Sequence, residues 1–327
     1  MTTSFTTALR IAHPIVQAPI GGAASPELAA AVSNAGGLGM LALSWKSPEQ
    51  THAAIRRTQQ LTDRPFGVNL VLEWDQTERV RICAEERVPL VSFFCGDPAP
   101  HLPVLRKNGI HICQTVASVA EARRAEQRCV DLIWTQGWEA GGHVRGTVSS
   151  LVLTRAVARA VRLPVVAFGG FADGSGLVAA LALGAAGVGL GTRFLMSTEA
   201  AIEPEYARWV ANATEVDTVY TDNLFDRGWE NAPHRVLRNS TVRAWEAAGK
   251  PTPGARPNEG EALGQFGGKQ IFRYSDNNPL RGTTGNLEAM ALYAGQSAGL
   301  VTERLPAGEI VRQIMAEAER VAHGLPR

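Results

Sequence analysis

Short apolar runs alternate with longer amphipathic stretches along the first 197 residues of the chain. Each run has four or five residues, the length of a buried parallel strand, and the stretches between them repeat apolar positions at helical spacing. The predicted strands are Ile15–Ala18, Gly39–Leu43, Phe66–Leu70, Leu90–Phe94, His111–Gln114, Leu132–Thr135, Val165–Phe168 and Gly187–Leu190. Helices are predicted over about 26–35, 48–61, 76–87, 99–107, 118–127, 150–161 and 174–183. Eight strands in alternation with helices predict the α/β class and, within it, a parallel (β/α)8 TIM barrel.

Local signals mark where two of these helices begin. Ser25 is a predicted N-cap, Pro26 takes the first helical position, and Gly36 follows the end of the same helix. Ser118 and Glu121 have the spacing of a capping box. These residues place helix ends independently of the apolar pattern.

The pattern changes after the eighth strand. Residues 198–282 are richer in Trp, Asn, Pro and Arg than the preceding part and include a connector rich in Gly and Pro. We predict a TIM-barrel domain at 1–197, an inserted lid or substrate domain at 198–282, and C-terminal helices at 283–327 that close on the barrel. These last helices are predicted near 286–295 and over about 307–322, where one face is apolar.

Composition limits the classes of function. Of the 327 residues, 45% are hydrophobic and 19% are charged, which predicts a large core and excludes a disordered chain. The formal net charge of +1 lacks the basic excess of a nucleic-acid-binding protein. The four cysteines have no zinc-like spacing, so we predict no metal site.

The apolar segments do not indicate targeting to a membrane. Arg10, His13 and Pro14 interrupt any apolar core of a secretory signal. An uncharged stretch lies between Asp173 and Arg193, but its six glycines fit a helix, a turn and a strand better than a spanning helix. We expect a cytoplasmic protein without nucleic-acid or membrane partners.

In a TIM barrel, the loops at the carboxyl ends of the strands meet in one pocket. Polar and small residues at these ends are Gln17–Gly22, Asn69, Gln114, Glu139–His143, Gly169, Gly170, Gly191 and Thr192. The last four follow strands seven and eight, where barrels bind phosphate through backbone N–H groups. The alternative is that these glycines only end strands. Their occurrence after both strand seven and strand eight favours phosphate binding.

His143 follows strand six, beside Gly141 and Gly142, whose lack of side chains lets a ligand approach closely. A neutral imidazole accepts a proton or hydrogen-bonds an anion near neutral pH. We therefore predict a catalytic or ligand-positioning role for His143. Glu139 keeps two interpretations, a second polar group of the site or a helix-capping residue.

The amide side chains of Gln17, Asn69 and Gln114 offer mixed donors and acceptors, which suits a heteroaromatic ring; the alternative is that they tie loops together. Signatures of other enzyme classes are not found at these loops. Gly169–Gly174 is not a G-x-G-x-x-G motif, and the following strand ends without an acidic residue for a ribose. Asp173 breaks a G-x-S-x-G pattern around Ser175, and no P-loop or H-E-x-x-H motif occurs.

Several motifs together resemble one protein family. They are Gln17–Gly22, Gly67–Asn69, Gly137–His143, Gly169–Gly174, Gly191–Phe194 and Tyr293–Gln296. Over about residues 8–300 the chain resembles the nitronate monooxygenases, formerly called 2-nitropropane dioxygenases, and the Glu139–His143 loop is the most specific part. The resemblance implies an FMN-containing barrel with a small extra domain.

The resemblance also implies roles for individual residues. The expected isoalloxazine contacts are the backbone of Ala18, Pro19 and Ile20 and the side chains of Asn69 and Gln114. The expected phosphate contacts are Gly170, Gly191 and Thr192, and the cofactor-binding set is completed by Gly141, Gly142, Gly169 and Gln296. His143 is expected beside the flavin as the catalytic residue. Ile20 stands where many relatives carry Met, so the ring contact there is altered.

The family oxidises alkyl nitronates with O2 to a carbonyl compound and nitrite, and the resemblance leaves open whether nitroalkanes are also substrates. FMN-dependent NAD(P)H:quinone reductases and enoyl-acyl-carrier-protein reductases share almost the same motifs, so a reductase is the alternative function. The flavin does the redox chemistry in all of them, while the protein selects the partner that reaches it. The sequence does not predict the physiological substrate, and it leaves a homo-oligomer open.

Overall fold

A ring of parallel strands forms the centre of the computed structural model, which describes residues 1–324. The strands are β1 (Ile15–Gln17), β2 (Gly39–Ala42), β3 (Phe66–Val71), β4 (Leu90–Phe94), β5 (His111–Val116), β6 (Leu132–Gln136), β7 (Gly142–His143), β8 (Val165–Phe168), β9 (Gly187–Leu190), β10 (Thr218–Thr221), β11 (His234–Leu237), β12 (Ala262–Phe266), β13 (Lys269–Phe272) and β14 (Thr284–Gly285). The helices are α1 (Ser4–Leu9), α2 (Pro26–Asn34), α3 (Pro48–Leu61), α4 (Thr77–Glu85), α5 (Leu102–Lys107), α6 (Val119–Gln127), α7 (Ser150–Ala160), α8 (Gly174–Ala182), α9 (Thr192–Leu195), α10 (Pro204–Ala211), α11 (Ser240–Ala247) and α12 (Ala307–Gly324).

The barrel sheet has the strand order β1-β9-β8-β6-β5-β4-β3-β2, and its neighbouring strands are parallel. The predicted (β/α)8 barrel is confirmed. Observed and predicted bounds of its strands and helices differ by two residues or fewer, apart from the start of α5, where a 3-10 turn precedes the helix.

The ring closes between β1 and β2 through few contacts. Val16 and Leu38 form an isolated parallel bridge, and Gln17 N donates to Leu38 O at 2.9 Å. The Gln17 side chain extends this seam, since Met40 N donates to its Oε1 at 2.9 Å. Gln17 is fully buried, and its amide is therefore part of the barrel wall rather than a ligand contact.

Both faces of the barrel strands are apolar. One set of alternating side chains fills the barrel interior and includes Met40, Leu90, Leu132, Trp134 and Phe168. The other set packs against the surrounding helices. A parallel strand that is covered on both faces reads as a continuous apolar run, which is why short runs predicted these strands well.

Both predicted N-caps are confirmed. Ser25 Oγ accepts from Leu28 N at 3.0 Å, and Ser118 Oγ accepts from Glu121 N at 3.2 Å. The Glu121 carboxylate accepts from Ala117 N at 2.8 Å rather than from the N-cap residue. The second hydrogen bond of the predicted capping box is therefore made to Ala117 N, one residue before the N-cap Ser118.

Helix α12 takes the eighth helical position of the barrel and packs on α8 and α2. The approach to α8 is close, because an ideal Cβ on Gly174 would lie 2.4 Å from Ala318 N. Glu317 accepts from Gly174 N at 3.0 Å and from Ser175 Oγ at 2.9 Å. The predicted final helix over about 307–322 is confirmed.

The helix predicted near 286–295 is wrong. The chain there makes a single 3-10 turn and then runs extended, with Tyr293 in an antiparallel bridge to Val236. Thr241 Oγ1 donates to Ala289 O at 2.6 Å. A side chain from a distant part of the chain thus donates to a backbone carbonyl that an α-helix would pair with one of its own N–H groups. The local sequence does not reveal this long-range hydrogen bond.

Residues 198–282 are here called the lid region, and part of this segment lies at the carboxyl ends of the barrel strands. Strand β11 pairs antiparallel with β10 on one side and with β7, from the loop after β6, on the other. Strands β12, β13 and β14 form a separate sheet. A small core that includes Phe225, Trp245 and Tyr274 supports the region. The lid region therefore shares one sheet with a barrel loop.

Helix α1 is an element that the sequence analysis missed. Phe5 is fully buried among the barrel-interior side chains. Thr3 caps the helix, and its Oγ1 donates to Ala186 O at 2.7 Å, just before β9. The short helix thus covers the amino-terminal end of the barrel.

Two further features concern the part of the chain that the structure describes. Between residues 1 and 324, no helix combines the length and the apolar character that crossing a membrane demands. In the same range, no group of three or more His, Cys, Asp or Glu residues is placed to hold a metal ion. All four cysteines are free thiols, and Cys83 and Cys113 are buried.

Candidate active site

A cavity of about 670 Å³ opens at the carboxyl ends of the barrel strands, under the lid region. Most residues that the sequence marked as a site line it: Ala18, Pro19, Ile20, Asn69, Gly141, Gly142, His143, Gly169, Gly170, Gly191 and Thr192. The loops at the strand ends therefore meet in one pocket, as the barrel topology requires.

Gln114 does not line this cavity. Its neighbours Cys113 and Thr115 face the barrel interior and the cavity, and side chains alternate along a strand, so Gln114 faces the helices. Its Nε2 donates to Gly96 O at 3.3 Å, and it borders a separate small cavity. On β5 the structure therefore places Thr115, and not the predicted Gln114, at the cavity.

Gln296 also lies outside the cavity lining, whereas Ser297 lines it. Gln296 begins a 3-10 turn after Gly295, and its backbone N donates to Glu139 O at 3.0 Å. Successive residues of the turn face different directions. Gln296, which was expected to contact the cofactor, therefore does not line the cavity, and its neighbour Ser297 does.

Three of the predicted glycines border open space. An ideal Cβ on Gly191 would lie no closer than 3.7 Å to another heavy atom, one on Gly170 no closer than 3.8 Å, and one on Gly142 would have nothing within 4 Å. Gly191 also has a φ of −94°, which suits any residue. Neither packing nor backbone conformation therefore demands glycine at Gly191, and its bare backbone faces space for a ligand.

Gly141 and Gly169 are glycines for a different reason. An ideal Cβ on Gly141 would lie 2.3 Å from Gly295 N, and one on Gly169 would lie 2.9 Å from Gly137 O. At both positions another backbone segment approaches too closely for a side chain. These two glycines shape the loops, whereas the previous three border free space.

Thr192 begins the short helix α9 directly after β9. Its Oγ1 accepts from Gly295 N at 3.0 Å, which ties this loop to the C-terminal segment. A hydroxyl that accepts one hydrogen bond still has its own proton to donate. Thr192 is therefore fixed in place and keeps a donor for an anion.

Asn69 stands near the end of β3 with its side chain at the cavity. Ser92 Oγ donates to Asn69 Oδ1 at 2.8 Å, which fixes the orientation of the amide. Within residues 1–324, no protein acceptor takes the protons of Nδ2. The amide nitrogen of Asn69 is thus a preoriented donor at the pocket.

His143 is surrounded by aromatic side chains. The centroid of its ring lies 4.1 Å from that of Trp229 and 5.5 Å from that of Tyr293. Its Nε2 is buried and finds no hydrogen-bond partner in the described range 1–324. Burial, and secondly repulsion from His234, lower the pKa of His143 to about 3. The imidazole is therefore neutral near pH 7.

Strand β11 of the lid region holds the loop that carries His143. His143 pairs with His234, and Gly142 pairs with Arg235. Arg235 is buried, and its Nη2 donates to Trp138 O at 2.9 Å while the guanidinium lies over the Trp138 ring at 4.9 Å. The lid region therefore positions the histidine as well as covering it.

The carboxylate of Glu139 points to the start of α7. It accepts from Ser150 N at 3.0 Å and from Ser150 Oγ at 3.1 Å. The N-cap residue Ser149 provides no side-chain cap of its own. Of its two interpretations, helix capping is the one that the structure supports, since an acidic group there satisfies a free N–H and the helix dipole.

The sequence analysis missed other pocket residues, most of them aromatic or from the lid region. They include Trp45, Trp74, Phe94, Trp134, Trp229 and Asp276. Trp45, Trp74 and Trp229 form a cluster with ring centroids 4.9 to 6.2 Å apart. Trp45 and Trp74 follow strands β2 and β3 closely, and that position was an available signal. The lid residues had no comparable signal.

Comparison with known proteins bears on the nature of this pocket. A family model described as nitronate monooxygenase matches residues 3–78 and 73–317. The chain belongs to the nitronate monooxygenase family. It is accordingly a flavin-dependent oxidoreductase, as the sequence predicted.

Three similar proteins illustrate the range of this family. The chain is 36% identical to the (3aS,4S,5R,7aS)-5-hydroxy-7a-methyl-1-oxo-octahydro-1H-indene-4-carboxyl-CoA dehydrogenase of Rhodococcus jostii, over 76% of this chain and 69% of the relative. It is 32% identical to the nitronate monooxygenase of Pseudomonas aeruginosa, over 97% and 99%. The crystal structure of a nitroalkane oxidase from Streptomyces ansochromogenes matches with a TM-score of 0.80 and 28% identity, over 98% and 99%.

Proposed function

We propose that this protein binds FMN and oxidises alkyl nitronates with O2 to a carbonyl compound and nitrite. The observation that carries the proposal is the bare backbone of Gly191, which faces an open pocket beside Thr192 in a chain of the nitronate monooxygenase family. The Pseudomonas relative is named for nitronate oxidation and the Streptomyces neighbour for nitroalkane oxidation.

The residues present fit FMN. Gly170, Gly191 and Thr192 would hold the phosphate, because backbone N–H groups without side chains and a hydroxyl donor suit an oxyanion. Asn69 Nδ2 would donate to the flavin ring system, and the backbone at 18–20 would lie along it. Bound FMN would supply the one-electron redox chemistry.

His143 would face the substrate as a neutral imidazole. One of its nitrogens accepts and the other donates, so the ring takes a proton or hydrogen-bonds the anionic nitro group. The aromatic rings pack around a buried Nε2, and a hydrogen bond made there is stronger than one made in water.

The absorption spectrum of the purified protein tests cofactor binding, because bound flavin makes it yellow. Anaerobic addition of ethyl nitronate tests the reaction: we expect the flavin to bleach and, on admission of O2, nitrite to form. A colourless protein that neither takes up FMN nor produces nitrite would contradict the proposal.

An NAD(P)H-dependent reductase of quinones or unsaturated thioesters is the second candidate. The Rhodococcus relative favours it, because that enzyme is named for a coenzyme A thioester substrate. Rapid anaerobic bleaching by NADH or NADPH, together with inertness to ethyl nitronate, would select this candidate over the first.

A further inference from the structure

Three tryptophans that line the cavity form one group, here called the tryptophan cluster. Trp45 follows β2, Trp74 follows β3, and Trp229 belongs to the lid region. The ring centroids of Trp45 and Trp74 lie 5.6 Å apart, and those of Trp74 and Trp229 lie 4.9 Å apart. The centroids of Trp45 and Trp229 are separated by 6.2 Å. These are the separations of aromatic rings that interact through tilted or edge-to-face contacts.

The exposure of the cluster falls from the surface towards the interior. Trp45 is 53% exposed, Trp74 is half-buried, and Trp229 is 7% exposed. The centroid of the Trp229 ring lies 4.1 Å from that of His143, whose Nε2 is buried. A continuous row of aromatic rings therefore leads from the solvent to the imidazole that is proposed to contact the nitro group.

Packing of the protein core does not account for Trp45. Trp74 and Trp229 pack with Val71 and Ala232 in a small apolar core that joins the barrel to the lid region. Trp45 lies against the two other rings of the cluster and keeps about half of its surface exposed. Isolated apolar residues are ordinary at a protein surface, but Trp45 extends a row of rings and lines the cavity. Its ring is therefore available to a ligand.

The cluster lies away from the loops proposed to hold the phosphate. In the ring of barrel strands, two strands on either side separate the pair β3 and β4 from the pair β8 and β9. Trp74 follows β3, whereas Gly170 and Gly191 follow β8 and β9. Because Trp229 also contacts His143, the cluster adjoins the position of the substrate rather than that of the phosphate.

We infer that the natural substrate is an arylalkyl nitronate, whose aromatic ring packs against Trp45 and Trp74 while its nitronate group contacts His143. The inference rests on the proposed function for the nitronate group and adds the substituent that the enzyme selects. An aromatic substituent gains from edge-to-face contacts with the cluster as well as from burial. An aliphatic substituent of the same size gains from burial alone.

A kinetic experiment compares the nitronates of 2-phenyl-1-nitroethane and 2-cyclohexyl-1-nitroethane. The two compounds have the same number of carbon atoms, and neither ring is conjugated with the nitronate. The wild type should prefer the phenyl compound, and Trp45→Leu should lower the phenyl-to-cyclohexyl ratio of kcat/KM by about 2- to 10-fold, the value of one aromatic pair. Trp45→Phe keeps a ring and should retain most of the preference.

The matched control is Phe266→Leu, which removes an exposed ring of β12 outside the cavity lining and should keep the wild-type ratio. A ratio that is unchanged in Trp45→Leu would overturn the inference. Equal losses for the phenyl and cyclohexyl compounds would do the same, because the cluster would then provide only apolar cover.

Binding of an aromatic ring is measurable without turnover. Nitrobenzene and 2-methyl-2-nitropropane lack an α-hydrogen and therefore form no nitronate. In calorimetric titrations of the flavin-loaded enzyme, nitrobenzene should bind more tightly than 2-methyl-2-nitropropane, and Trp45→Leu should weaken nitrobenzene binding by about 2- to 10-fold. If no nitronate is oxidised but this difference remains, the proposed function fails and the aromatic subsite stands. Equal affinity of wild type and Trp45→Leu for nitrobenzene overturns the inference whatever the reaction is.

Discussion

The barrel and the lid region place polar groups by different rules. In the barrel, topology decides: the carboxyl end of every strand faces one pocket, so residues such as Asn69 and Gly191 arrive there together. In the lid region, long-range pairing decides, as between β11 and β7, and Asp276 comes from an irregular segment. We therefore expect changes in the barrel loops to alter flavin content and changes in the lid region to alter turnover.

The largest expected effect separates the two regions most clearly. Gly191→Asp should give colourless protein, because its side chain would occupy the space proposed for the phosphate and repel it. Gly191→Ala has room for its methyl group in the protein, with the nearest atom at 3.7 Å, so any loss of flavin from it reports contact with the cofactor. The measurement is flavin absorbance per polypeptide after purification.

The control for this pair is Gly308→Asp, at the start of α12, a position that does not line the cavity and where an acid suits the helix N-terminus. It should keep the full flavin content. Full flavin content in Gly191→Asp would show that the phosphate does not bind at this loop.

The next effect is on turnover. His143→Asn should keep its flavin but lower kcat/KM for ethyl nitronate by about 10- to 100-fold, the value of a hydrogen bond to a charged group. Because burial lowers the pKa of His143 to about 3, its titration should leave no inflection in the wild-type rate between about pH 5 and 8. Stopped-flow flavin reduction across that range measures both. Wild-type kinetics in the variant would exclude the histidine from nitronate binding.

A smaller effect tests whether the lid region positions the histidine loop. Arg235→Met removes the donors to Trp138 O and should lower the free energy of unfolding by about 1–3 kcal/mol, because that carbonyl loses its partner. It should also lower kcat while flavin content stays high. Arg243→Met, an exposed arginine of the lid region, is the matched control in urea unfolding. Equal kcat in both variants would show that the lid region does not position the loop.

The smallest effect concerns the cap of α7. Glu139→Gln removes a negative charge from the helix N-terminus but keeps an acceptor for Ser150 N, so we expect a loss of stability of about 1 kcal/mol or less. Flavin content and nitronate kinetics should change little. A large loss of turnover would instead make Glu139 a polar group of the reaction site.

The outcome of prediction from sequence follows the same division. Strands that are buried on both faces carry their own apolar signal, and N-caps such as Ser25 are local, so the barrel was predictable residue by residue. Eleven of the site residues predicted from strand ends and from the family resemblance line the cavity. Gln114 and Gln296 lie outside the cavity lining, because side-chain alternation along β5 directs Gln114 away from it and a 3-10 turn does the same at Gln296.

The lid region was predictable only as a change in composition. The strand pairing of His143 with His234 joins residues that are distant in the chain, and the room for Asp276 depends on Gly228. No local pattern encodes either contact. The aromatic cluster around Trp229 assembles from two barrel loops and the lid region, so its existence also required the folded chain.

The three-stranded sheet β10-β11-β7 has a consequence for the diversification of such enzymes. Its edge strand carries the imidazole, and its central strand belongs to the segment that differs in composition from the barrel. Grafting a foreign segment in place of residues 198–282 would exchange the central strand and shift the imidazole with it. Chimeras that retain β11 and replace only residues 238–282 should therefore tolerate new specificity more readily than whole-segment swaps.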